Sequence, residues 1–144
     1  MHIAEIRFRE YPDFKLMNRW KSARTGSIPS SLVPFPVLFD YISPESLVLD
    51  TGCGPGGACA HLARAGFARV VGIDVNPDAA ALAGEAMREA GANTGAVAAD
   101  AAALPFRGGV FDAVIAQAIF TTMPGPTLNR AAAEAARVLR RGGV

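Results

Sequence analysis

The stretch Leu47-Val48-Leu49-Asp50-Thr51-Gly52-Cys53-Gly54-Pro55-Gly56-Gly57 constrains this chain more than any other. An apolar run ends in an acid, a glycine-dense turn follows, and good helix formers continue from Ala58 to Ala65. That order predicts a strand, a tight turn and a helix. Glycines at 52, 54 and 56 let the backbone bend sharply after the strand and approach a small ligand closely.

Two ligand classes use such a turn. A dinucleotide places its pyrophosphate at the helix N-terminus, where an acid just before the first glycine repels it. Asp50, two residues before Gly52, instead suits a ligand that presents a positive group. Gly52, Gly54 and Gly57 also satisfy G-x-G-x-x-G, which taken alone is a weak signal. The segment Val48 to Gly56 resembles the first motif of the class I S-adenosylmethionine-dependent methyltransferases, whose cofactor carries an ammonium and a sulfonium and no phosphate.

Arg69-Val70-Val71-Gly72-Ile73-Asp74 reads as a second strand, apolar on both faces as in a parallel sheet and ending in an acid. Asn76 and Pro77 cap and start a second helix that closes at Gly91, with Ala79, Leu82, Ala83, Ala86 and Ala90 on one face. A right-handed crossover then puts Asp74 at the carboxyl edge of the sheet beside the glycine turn. From there it can accept hydrogen bonds from two ribose hydroxyls. A plain acid at a helix N-terminus is the alternative.

A short third strand, Ala96 to Ala99, leads to Asp100 and then through Leu104-Pro105-Phe106 and Gly108-Gly109 to a fourth strand, Val110 to Ala116. This long pattern is similar to the small-molecule class I methyltransferases often labelled type 11. The resemblance implies that Asp100 accepts from the adenine amine, that backbone at Ala101 faces the ring, and that Ala116 and Gln117 line the methionine end. It also implies cofactor contacts from Thr51, Cys53, Gly54 and Gly56 in the turn and from Val75 after the second strand. Leu104 and Phe106 read as core anchors, and Asp112 as a structural acid that bonds loop backbone.

Relatives commonly carry two histidines where this chain has Thr121 and Thr122, so no catalytic base is named. His61, on the helix after the turn, reads as a solvated surface residue. Leu128 to Leu139 is an amphipathic helix with Leu128, Ala131, Ala132, Ala135, Val138 and Leu139 inward. The run Arg137 to Gly143 matches the family's turn into a fifth strand. Against the family's pattern the last three strands and their helices are missing, so a C-terminally truncated core with a bare fourth-strand edge, prone to self-association, is expected.

At 144 residues, 51% hydrophobic and 19% charged, the chain suits one globular core. A net charge of +1 exerts no general pull on nucleic acid or an anionic membrane. Cys53 and Cys59 fit no zinc spacing, and with no signal-peptide pattern at Met1 to Glu10 a cytoplasmic setting and no metal are expected. In residues 1–31, Arg7, Arg9, Lys15, Arg19, Lys21 and Arg24 alternate with Tyr11, Phe14 and Trp20. Such a segment can grip nucleic acid, but a solvated helix with docked aromatics is the favoured reading, and with it a lid or acceptor-side cover. Thr25 to Ser31 reads as a linker and residues 32–144 as the cofactor-binding core, with a helix starting at Pro36.

The expectation is therefore an α/β Rossmann-like doubly wound parallel sheet of order 3-2-1-4. It would bind S-adenosylmethionine and transfer a methyl to a small-molecule acceptor. An inactive cofactor-binding remnant or interaction module is the runner-up, and a nicotinamide-dependent oxidoreductase stands behind it because it leaves Asp50 and Leu104-Pro105-Phe106 without a role.

Overall fold

The glycine turn follows β1 (Val48–Thr51), the strand with partners on both edges, which is buried along its whole length. In the computed structural model, residue 38, residues 40–117 and residues 119–144 are described, Thr121 by its backbone alone. The chain divides into two units, residues 1–43 and 44–144. In the first unit Tyr41 and Ile42 donate to the Leu38 carbonyl, at 2.9 and 3.2 Å. The boundary expected after residue 31, the linker, the cover formed by residues 1–31 and the helix start at Pro36 lie outside the described residues.

The second unit runs β1, α1 (Gly57–Arg64), β2 (Val70–Asp74), α2 (Pro77–Glu89), β3 (Ala96–Ala98), β4 (Ala113–Ile115), a 3-10 turn (Ile119–Thr121) and α3 (Gly125–Val138). The sheet is parallel throughout, in the order β3-β2-β1-β4. This is the Rossmann-like doubly wound arrangement. Asp50 lies opposite Gly72 on one side and Ile115 on the other, and Thr51 opposite Ile73, so the strands end together and their following loops share one edge.

Leu49, Ile73, Ala101, Leu104, Phe111, Ala131 and Val138 form a buried core. Phe106 meets Phe111 edge to face, centroids 5.1 Å apart, a geometry favoured by the ring quadrupoles. The Leu-Pro-Phe loop is also tied to α3. Glu134 accepts the Leu104 N–H at 2.7 Å, and Arg137 donates to Glu134 and to the carbonyls of Phe106 and Leu104. The Arg137 bond holds the Glu134 carboxyl down at about 2.

Two expectations about β4 are corrected here and one about Asp112 is met. β4 is shorter than Val110 to Ala116, because the N–H groups of Val110 and Phe111 are taken by the Val138 carbonyl and Phe111 bridges to Leu139. Its outer edge is not bare: Arg140 donates to Phe111, Val144 donates to Asp112, and Val114 donates to Val144 at 2.8 Å. The turn closed by the Gly143–Arg140 bond brings the last residues back alongside the strand. Asp112 acts as the expected structural acid, accepting the Leu47 N–H at 2.6 Å and pairing with Arg140; these bonds, led by that of Leu47, lower its carboxyl pKa.

The inward faces of the helices also differ. α2 buries Ala80, Ala83 and Met87, while Leu82 is 55% exposed. An alanine-rich helix offers apolar side chains on every side, so periodicity does not single out a face. Packing decides: the Ala83 backbone fills the space a Cβ on Gly56 would need, 2.6 Å from Ala83 Cα. In α3 only Ala131 and Val138 are buried, with Ala132 turned to solvent. His61 is not a surface residue either, since α1 buries Cys59 through Ala63.

Candidate functional site

At the carboxyl end of the sheet a cavity of about 490 Å³ collects residues that follow each of the four strands. Gly52 comes from β1, Asp74 and Val75 from β2, Ala99, Asp100 and Ala101 from β3, and Gln117 from β4. Ile73 lies beneath them, and Ile119, Thr122 and Met123 form a wall after β4.

The glycine turn is held by β2. Gly52 and Cys53 both donate to the Ile73 carbonyl at 2.8 Å, and Gly54 donates to Asp74 Oδ2 at 2.9 Å. Asn76 N–H donates to Asp74 Oδ1 at 2.9 Å. The carboxylate is thus fixed in direction, and each oxygen retains acceptor capacity. Asp100 is exposed and turns one oxygen to the Ala102 N–H at 2.8 Å, which leaves Oδ2 as an acceptor at the cavity.

Gly52 sits at a φ of +73° with Ile119 seated on it, the Ile119 Cδ1 2.7 Å from where a Cβ would stand. Thr122 Oγ1 donates to the Ile119 carbonyl at 2.8 Å and closes the turn that carries this side chain.

Six of the residues expected from sequence line the cavity: Gly52, Asp74, Val75, Asp100, Ala101 and Gln117. The other six lie under or beside it. Asp50 is 3% exposed and accepts the Cys59 thiol at 3.3 Å; burial pushes its carboxyl up to about 6, and the nearby Asp74 adds to the rise. The Thr51 hydroxyl donates across to the Ile115 carbonyl at 2.9 Å. Cys53 packs its sulfur where a Cβ on Gly72 would sit. Gly54 orients Asp74, Gly56 admits α2, and Ala116 is half-buried beside the lining.

The lining residues not foreseen are Ile73, Ala99, Ile119, Thr122 and Met123. Ile73 and Ala99 immediately precede foreseen acids, so the strand ends pointed to them. The other three lie on a 3-10 turn and the loop after it, which no hydrophobic period marks.

Among the described residues the lining carries two carboxylates and no Lys, Arg or His. Such a cavity accepts hydrogen bonds from hydroxyls and amines and disfavours a pyrophosphate. Among the described residues no group of three or more His, Cys, Asp or Glu could hold a metal ion, and no helix is long and apolar enough to cross a membrane.

Residues 48–143 match the family described as "Methyltransferase domain". The chain is similar to an uncharacterised protein of Mycobacterium tuberculosis, 41% identical over 94% of this chain and 50% of that one. It is 32% identical to a ribosomal protein L11 methyltransferase of Methylobacillus flagellatus, over 82% of this chain and 39% of the relative. Among solved structures, an S-adenosylmethionine-dependent methyltransferase of Methanosarcina mazei superposes with a TM-score of 0.66 at 33% identity, covering 73% of this chain and 52% of that protein. The chain thus spans about half or less of the length of these relatives.

Proposed function

We propose, for a chain that belongs to the methyltransferase domain family, that its cavity binds S-adenosylmethionine and that the protein transfers the methyl to a small-molecule acceptor. The observation that carries the reading is the convergence of Asp74 and Asp100 with Gly52 and Gln117 on one cavity at the carboxyl edge of the sheet, lined among the described residues by no cation. The donor chemistry of the ligand fits that set. Asp74, aimed by Gly54 and Asn76, accepts from the ribose hydroxyls; Asp100 accepts from the adenine amine; Val75 and Ala101 flank the ring. Gln117 and Gly52 face the methionine end. Asp50 lies behind the turn and acts there through its charge.

When bound, the cofactor supplies a methyl on a sulfonium, which departs as a neutral thioether. The chain supplies position and exclusion of water. The 3-10 turn and Met123 wall the cavity off at its β4 end. The free thiols Cys53 and Cys59 suit a reducing compartment, and we assign the protein to the cytoplasm. Self-association through β4 is not part of the proposal, because Val144 already pairs with that edge.

Titration calorimetry tests the reading. S-adenosylhomocysteine should bind with a measurable heat, while NAD and NADP should give none at the same concentration. At ~100 times its dissociation constant the ligand should stabilise the folded chain by about 2.7 kcal/mol. Binding of NAD in preference to S-adenosylhomocysteine would overturn it.

A further inference from the structure

We infer that Ile119 sets the size of the group the cavity accepts on the cofactor's sulfur. The inference rests on the proposed cofactor and adds a determinant of specificity to it.

The order of the strands orders the ligand. Asp100 follows β3, Asp74 follows β2, Gly52 follows β1 and Gln117 follows β4, so the cavity runs across the sheet in the sequence β3-β2-β1-β4. Adjacent strands are spaced by about 4.8 Å, which makes three steps roughly 14 Å. A ligand with its amine at Asp100 and its hydroxyls at Asp74 brings the next atoms along, the sulfur and its substituents, to Gly52 and then to the β4 end.

What stands there is Ile119. Its Cδ1, Cβ and Cγ1 lie 2.7, 3.1 and 3.2 Å from the position of an added Cβ on Gly52. The side chain therefore rests directly on the turn and has no room to retreat toward it. Its backbone is held within the 3-10 turn, because Thr122 donates to the Ile119 carbonyl through both its N–H, at 3.2 Å, and its hydroxyl, at 2.8 Å. A branched side chain with a restricted χ1, seated on Gly52 and carried on a closed turn, is a stiff wall. A stiff wall discriminates by size where a flexible one would adapt. Met123 also lines this end, but it is unbranched with a soft thioether and can yield to a larger neighbour.

The experiment compares binding of S-adenosylhomocysteine, S-adenosylmethionine and the S-ethyl sulfonium homologue to the 144-residue chain by calorimetry, for the wild type, Ile119→Ala, Met123→Ala and Glu85→Ala. One extra methylene against a fixed apolar wall is worth roughly 10-fold or more in affinity. The wild type and Glu85→Ala, exposed on α2 and outside the cavity, should therefore bind the ethyl homologue at least ~10-fold more weakly than S-adenosylmethionine, and Ile119→Ala should reduce that ratio to about 3-fold or less. If Ile119→Ala no longer binds S-adenosylhomocysteine, Ile119→Val replaces it and should lower the ratio part-way. The inference is overturned if the ethyl-to-methyl ratio is unchanged in whichever of Ile119→Ala and Ile119→Val binds S-adenosylhomocysteine, or if Met123→Ala relaxes it instead. Failure of the wild type to bind S-adenosylhomocysteine at all overturns the cofactor assignment itself, a separate result.

Discussion

Replacing Gly56 with alanine should damage the fold, whereas the same change at Gly54, two residues earlier in the turn, should mainly damage the site. Both glycines hold positive φ, +82° and +52°, and a Cβ there costs about 1–2 kcal/mol in either case. Their surroundings differ. An added Cβ on Gly56 would lie 2.6 Å from Ala83 Cα, 2.9 Å from its Cβ and 3.1 Å from its carbonyl oxygen, and two of those three atoms are backbone. Relief requires α2 to move away from the turn, an overpacking cost of about 1–3 kcal/mol. An added Cβ on Gly54 meets nothing within 4 Å among the described residues. Gly56→Ala should therefore lose about 2–5 kcal/mol and Gly54→Ala about 1–2 kcal/mol, with unchanged m-values in urea unfolding followed by circular dichroism. Since single domains hold about 5–15 kcal/mol in total, the first loss is severe. Calorimetry with S-adenosylhomocysteine should show the opposite order, because a Cβ at 54 disfavours the positive φ of +52° that points the backbone N–H at Asp74. Equal losses of stability within about 0.5 kcal/mol would refute the claim that close approach of α2, and not backbone conformation alone, requires glycine at 56.

Three further outcomes are expected. Asp50 keeps its proton to about pH 6 in the folded chain and to about 3.8 when unfolded, so stability falls as pH rises through that window. Asp50→Asn escapes the loss, and its urea midpoint should gain on the wild type between pH 4 and pH 7 by the equivalent of about 3 kcal/mol; a gap that does not change with pH would show that burial does not control this carboxyl. Asp74→Ala should weaken S-adenosylhomocysteine binding by about 2–4 kcal/mol in calorimetry, and an unaltered affinity would remove Asp74 from the ligand. Glu134→Ala should strip hydrogen-exchange protection from the Leu104 amide, which it accepts at 2.7 Å, while Glu85→Ala on exposed α2 should leave that amide protected.

The resemblance to the class I methyltransferases carried the order 3-2-1-4 and the place of Asp100; the amino-acid order alone determined which runs are strands, that they are parallel, and that Asp74 stands at the carboxyl edge beside the glycine turn. These follow from local features. Apolar runs ending in acids, the glycine turn, and the Asn76–Pro77 cap all act within a few residues, and the handedness of the crossover does the rest. Tertiary packing decided which face of α2 turns inward, because its alanines present nearly the same surface all round and only the seat of Ala83 on Gly56 distinguishes them. It decided that Asp50 lies buried against Cys59, nine residues on, since a strand-end acid faces solvent or interior according to the helix that covers it. It put Val144 on the edge of β4 through a turn whose return path depends on Phe111 and Asp112. And it brought Ile119 onto Gly52, 67 residues apart in the chain, because a short turn after β4 carries no period of its own and its place is set only by the strand it leaves and the cavity it closes.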